Sequence, residues 1–146
     1  MDTTTIADAL RAYYAANGLP ADGGASAKWF HVKLGPVTFP VPNPPARRRA
    51  VLFHDVNHIL TGYNNVFSQG EMEIAGFEIG AGCGPYAIAW MINGWMLLLG
   101  LVVTPRKTLG AFRRGRDCGS IYELPDSRDA LVRRTVGELR AALNIR

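Results

Sequence analysis

With 146 residues and 48% hydrophobic side chains, the chain has the size of one domain and can build a core without disulfide or metal staples, which excludes a disordered polymer. Its two cysteines, Cys83 and Cys118, fall in no paired spacing, so a disulfide framework is excluded and a cytoplasmic chain is expected. The net charge of +4 is unevenly spread: residues 1–49 hold six Lys/Arg against three acids and residues 106–146 hold ten against five, while residues 50–105 hold no Lys or Arg and four carboxylates, Asp55, Glu71, Glu73 and Glu78.

The opening Met1-Asp2-Thr3-Thr4-Thr5 has neither a basic nor an apolar signal region, so no secretion signal is expected. Thr3 to Thr5 then cap a helix carrying Ile6, Leu10, Tyr13 and Tyr14, which Asn17-Gly18 and Pro20 end. Ala21 to Ser26 reads as a loop. Phe30, Val32 and Leu34 alternate with polar neighbours, Gly35-Pro36 turns the chain, and Val37 and Phe39 follow, which predicts a short β-hairpin near residues 29–41. Pro40, Pro42, Pro44 and Pro45 forbid regular structure until about Ala46. Helical spacing resumes from Arg47 to Tyr63, with Gly62 and Asn64-Asn65 as the stop.

Ser68-Gln69-Gly70-Glu71 opens the next helix, to about Gly80, with Ser68 and Glu71 spaced as a capping box. Tyr86 to Thr104 is apolar nearly throughout and approaches the length that crosses a bilayer. Asn93 and Gly94 interrupt its centre, and Trp90 and Trp95 sit inside it rather than at its ends. The expected element is a buried central helix, with a spanning or pocket-lining helix as the alternatives. A short basic helix over Thr108–Gly115 and an amphipathic one over Asp126–Asn144 complete the chain, the latter turning Leu131, Val136, Leu139 and Leu143 inward. The fold class is therefore mainly α, a single domain over 1–146 with a bundle of about five helices.

Chemistry concentrates at His54-Asp55-Val56-Asn57-His58. At about 100° per residue, positions four apart share a helix face, so both imidazoles can aim at one point. No cation lies nearby in sequence, and carboxylates in apolar surroundings need a cation, a proton or solvent. Imidazole and carboxylate ligands without cysteine suit a catalytic metal with an open position rather than a closed structural zinc site. Asp55, about 100° round from His54, stands as an edge ligand, an orienter or a base. Glu71 and Glu78, seven apart, share a face, while Glu73 points to solvent. Two bland readings compete: histidines that only bond backbone carbonyls, and a Glu71 that only caps its helix. The Arg47-Arg48-Arg49 run reads as a solvated face, with anion binding the sharper alternative. The basic C-terminal region lacks interleaved aromatics, so nucleic acid is not an expected partner, and anionic lipid stays open.

The run from His54 through Leu60-Thr61-Gly62-Tyr63 to Gly70-Glu71 resembles the signature of the coenzyme Q biosynthesis protein four family, and Ala111–Arg116 and Glu138–Ile145 are similar to its closing segments. The resemblance covers roughly residues 46–146. Twelve residues separate His58 from Glu71 where that family usually has eleven, and Asn57 stands where it often has an aromatic. The resemblance implies a divalent metal, zinc first, on His54, Asp55, His58 and Glu71, and a quinone or prenylated aromatic substrate. It also implies loss of a ring carboxylate with oxygenation at that carbon during ubiquinone head-group maturation, and assembly with other enzymes at a membrane. The catalytic candidates are His54 and Asp55, and the candidate substrate contacts are Glu78, Trp90 and Tyr63. The expected protein is a metal-dependent lyase-type enzyme; a lipid- or prenyl-binding scaffold, peripheral on a membrane or in a homo-oligomer, is the alternative.

Overall fold

The computed structural model describes residues 2–34, 37–67 and 69–146. The turn read at Gly35-Pro36 and the Ser68 half of the predicted capping box lie outside them. Helix α1 runs Ile6–Ala16, and the Thr5 hydroxyl caps it by accepting from the Asp8 amide at 3.1 Å. Ile6, Leu10 and Tyr14 recur every four residues and are buried. Strands β1 (Trp29–Leu34) and β2 (Val37–Pro42) pair antiparallel with Trp29 opposite Pro42. The strand thus continues through Pro40 and Pro42, where an irregular arm was expected. Each strand of a two-stranded ribbon is an edge, and an edge tolerates residues without an amide hydrogen.

Helix α2 spans Pro45–Thr61, with Pro at its first position, and ends at Gly62, whose φ of 77° a side chain would oppose. Its buried face carries Asp55, Asn57 and His58 beside Leu52, Val56 and Leu60. Helix α3 spans Gly70–Ala81, α4 Ala87–Val103 and α5 Pro105–Arg116. The last begins at Pro105 rather than Thr108, because proline favours a first helical turn. Helices α3 and α5 approach closely because glycines face backbone: a Cβ on Gly76 would stand 2.7 Å from the Thr108 carbonyl oxygen, and Cβ atoms on Gly80 and Gly115 would collide with the Phe112 and Phe77 carbonyls.

Two expectations change. The helix read over 126–144 is two, α6 (Arg128–Arg133) and α7 (Val136–Ala142). Thr135 and Glu138 form a capping box that starts the second, and Arg134 and Thr135 are extended, bridging to the segment before α1 through Ile6 N–H to the Arg134 carbonyl and Val136 N–H to the Thr4 carbonyl. With the 3-10 turn Ile121–Glu123, the described residues hold seven α-helices, so the mainly α class stands with more and shorter elements. The second change concerns α4, which is a surface helix rather than a buried central one. Only Ala89, Asn93 and Gly100 are buried on it, and Met91, Trp95, Leu98 and Val102 are 60–80% exposed. Among the described residues no helix is long and apolar enough to cross a membrane. The inward set Leu131, Val136, Leu139 and Leu143 is buried as expected and joins one core with Ile6, Val56, Leu60, Ile74 and Phe77.

Gly80→Ala should lower stability by about 1–3 kcal/mol in urea denaturation, since α3 and α5 must separate to admit a methyl group. Gly94→Ala, where a Cβ meets open space, should be neutral or stabilising by roughly 1 kcal/mol. Equal effects at the two positions would contradict the close helix contact.

Candidate metal centre

Helix α2 carries His54 and His58 on successive turns, their rings edge-on at 86° with centroids 4.8 Å apart. Their Nε2 atoms lie 3.2 Å apart. Glu71, in the first turn of α3, spans the pair with Oε2 3.4 Å from His54 Nε2 and Oε1 3.3 Å from His58 Nε2. One ligand atom from each of the three falls within 4.8 Å of the others, a grouping that could hold a metal ion.

The opposite ring nitrogens are fixed from behind. His58 Nδ1 lies 2.9 Å from the Tyr63 carbonyl oxygen, which only accepts, so Nδ1 carries the hydrogen. His54 Nδ1 lies 3.3 Å from Glu78 Oε2. A neutral ring that donates from Nδ1 presents a lone pair at Nε2. Two such lone pairs and both Glu71 oxygens then face one point, where four acceptors require a shared cation or proton. The donor set fits a metal: in a tetrahedral site with bonds of about 2.0–2.1 Å, ligand atoms stand roughly 3.3 Å apart, near the 3.2 Å between the two Nε2 atoms, each of which meets a different Glu71 oxygen. Carbonyl and carboxylate partners behind the ligating histidines are the usual support of such sites.

Glu78 is fully buried and accepts from Asn57 Nδ2 at 2.8 Å, the Tyr122 hydroxyl at 3.0 Å and the Asn93 amide, besides His54. Burial raises its pKa, but the charge and hydrogen bond of His54, with Asn57 and Tyr122, outweigh that and leave it lowered. Burial lowers the pKa of His54, yet the Glu78 charge and the bonds to Glu71 and Glu78 lift it well above the ordinary value. Burial likewise raises Glu71, and its bonds to the two histidines overcome this and bring it down to about 2. All three shifts express the same demand for positive charge between two carboxylates.

Of the sequence candidates, the structure brings His54, His58 and Glu71 together and leaves Asp55 out. The Asp55 carboxylate lies on the α1 side of α2, where it accepts the Tyr14 hydroxyl at 3.0 Å, and burial pushes its pKa up. It is not in the metal-capable group, so the four-ligand set becomes three. Glu78 cannot meet substrate as expected, since four protein donors surround it. Glu73 is half-buried rather than solvated. Trp90 turns away, its indole donating to the Gly84 carbonyl at 3.0 Å. The Tyr63 ring packs near Phe77 and under Arg114, and it is the backbone of Tyr63, not its phenol, that serves the site.

A cavity of about 170 Å³ opens beside the ligands. His54 and Glu71 form one part of its wall, Ala50 and Val51 of α2 the adjoining part, Ile92 and Met96 of α4 another, and Arg47, two turns back along α2, also reaches it. Tyr122 and Asn93 line it as well as holding Glu78. Sequence reasoning passed over Tyr122, Asn57 and Asn93 as site residues. The two asparagines left a trace as polar residues inside apolar helical faces; Tyr122, 44 positions from Glu78, left none. Compared with family models, curated proteins and solved structures, the chain matches none of them.

Glu78→Ala strands three buried donors and the half-buried His54, and should cost about 3–5 kcal/mol in urea denaturation. In chelated protein, the raised His54 contributes stability that is complete below its ordinary 6.5 and is lost as pH rises through the raised value. Glu71 contributes above its ordinary 4.5, and that part is lost as pH falls through about 2. Denaturation midpoints in chelator should therefore fall on the alkaline side, and a flat alkaline limb would contradict the pairing.

Proposed function

We propose that this protein is a metal-dependent enzyme acting on a hydrophobic, ring-bearing small molecule of the quinone or prenylated aromatic class. The observation that carries the reading is the convergence of two oriented imidazoles and one carboxylate, of which His54 and Glu71 line a small, mostly apolar cavity. Three protein ligands leave a coordination position for substrate, which is the catalytic rather than the structural pattern. A divalent ion bound there, zinc being the first candidate for this nitrogen and oxygen set, would supply Lewis acidity toward a substrate carbonyl or carboxylate oxygen.

The protein's own residues do the rest. Glu78 and the Tyr63 carbonyl hold the two rings so that both Nε2 atoms meet Glu71, with His54 at the cavity wall. Ala50, Val51, Ile92 and Met96 exclude water and favour a flat apolar group; about 150 Å³ of apolar space already admits a benzene ring. Only the ring of a larger substrate therefore enters, and a hydrocarbon tail would lie along the exposed face of α4. Asp55, outside the ligand group and bonded to the Tyr14 hydroxyl, would serve as a base or an orienter rather than a ligand. The resemblance to the coenzyme Q biosynthesis protein four family favours loss of a ring carboxylate with oxygenation of that carbon. A related lyase or cyclase step would use the same groups.

A second reading, a lipid- or prenyl-binding scaffold without catalysis, has one observation in its favour: the apolar outer face of α4, with Met91, Trp95, Leu98 and Val102 open to solvent, suits contact with a membrane surface. Elemental analysis of the purified chain separates the two. About one divalent ion per chain is expected, falling at least tenfold in His58→Ala and Glu71→Gln with helicity unchanged. Metal in neither the wild type nor the variants, with lipid vesicles still bound, would replace the enzyme by the scaffold.

A further inference from the structure

A basic cleft lies apart from the metal centre. Arg48 and Arg49 from the first two turns of α2 and Arg128 from the start of α6 line a hollow of about 360 Å³, walled by Ala25 and Pro45. None of the three arginines lines the metal-side cavity. Arg48 is held in place, its Nε donating to the Asn43 carbonyl at 3.0 Å. Asn43 is buried and pinned in turn by amide bonds to the Gly24 and Ala27 carbonyls. The cleft is thus attached to an ordered loop and not only to mobile side chains.

What the cleft lacks is a paired carboxylate: Asp129, beside Arg128 in the first turn of α6, is not among the ion-paired acids of the described residues. Among the described residues, none of the three arginines has a carboxylate within 4.0 Å. Asp22, in the adjoining loop, is committed to the Gly24 and Ser26 amides, and Asp126, just before α6, to Arg134. Helix α2 has no acid in its first turn and no side-chain cap, so the arginines stand where the helix dipole already disfavours cations. Three arginine side chains lining one hollow, Arg49 and Arg128 of them exposed, concentrate positive charge that an anion would offset. Their planar donor forks match the oxygens of a tetrahedral, doubly charged group better than those of a monovalent ion.

We propose that the Arg48–Arg49–Arg128 cleft binds a phosphate group, carried by a small metabolite or by a lipid headgroup. The site makes this end of α2 a phosphate anchor, distinct from the metal-binding turns further along the same helix.

The test uses the full chain in chelator, so that phosphate cannot report on bound metal, at low ionic strength. Calorimetric titration with inorganic phosphate and phenyl phosphate should give one site per chain, and acetate should give none. Arg49→Gln with Arg128→Gln, both at exposed positions, should weaken binding at least tenfold while the unliganded melting temperature stays equal or rises, because repulsion is relieved. Arg128→Glu, at an exposed position, repeats the test independently. In parallel, sedimentation with phosphatidic acid and phosphatidylcholine vesicles separates the sources. Loss of phosphatidic acid binding in the variants, with no free-phosphate signal, assigns a lipid headgroup, whereas free-phosphate binding without vesicle preference assigns a metabolite. Phosphate no tighter than acetate together with no vesicle preference, or variants binding like wild type, would overturn the proposal.

Discussion

The centre of this structure depends on one carboxylate that never meets water. Glu78 is held by an imidazole, two amides and a phenol, drawn from α2, α4 and the turn at residues 121–123. An ionised group at such depth is tolerated only when its lone pairs are filled and a positive charge is near. Each donor therefore fixes the position of an element as well as satisfying an oxygen. Asn57 and His54 hold α2 against α3, Asn93 holds the otherwise exposed α4 down, and Tyr122 closes the network from the C-terminal side. The hydrophobic core supplies the bulk of the burial, and this network sets how the helices register around the site.

From that register follows a division of the two histidines into an inner and an outer edge. The inner nitrogens are spoken for by a carboxylate and a backbone carbonyl; the outer ones meet Glu71 beside the cavity. The same helix α3 supplies the acid on each side of His54, seven residues and two turns apart. On the far wall, α4 offers Asn93 to the network and Ile92 and Met96 to the cavity, while its outer side remains apolar and open. A single helix thus relates a polar interior to a greasy surface. The ligand we propose, polar at one end and hydrocarbon at the other, rests on that arrangement.

Much of this was legible in the sequence because it was local. The i,i+4 histidines and the seven-residue spacing of Glu71 and Glu78 are consequences of helix geometry, which neighbouring residues reveal. Thr5 as a cap, Gly62 as a stop and the inward leucines of the last segment follow from equally short-range rules. What failed depended on distance or on context. Asp55 sits beside His54 in sequence, yet the rotation of one residue sends it to Tyr14 instead of the ligand group. Glu78 was read as a substrate contact because nothing nearby announced its four partners. Helix α4 was read as buried from its composition, but composition does not tell which side of a helix finds a neighbour. The break between α6 and α7 was the one long-range feature with a local sign, since Thr135-x-x-Glu138 spells a capping box.

The grip on His54 has a kinetic consequence. Its ring is engaged at Nδ1 by Glu78 and at Nε2 by Glu71, and both acids belong to α3, which the glycine contacts lock against α5. The imidazole therefore turns only when it gives up contacts to both acids, which ride on that one helix. An ion seated between these groups would exchange through the adjoining cavity, at a pace set by how readily the Glu71 and histidine side chains let go of it.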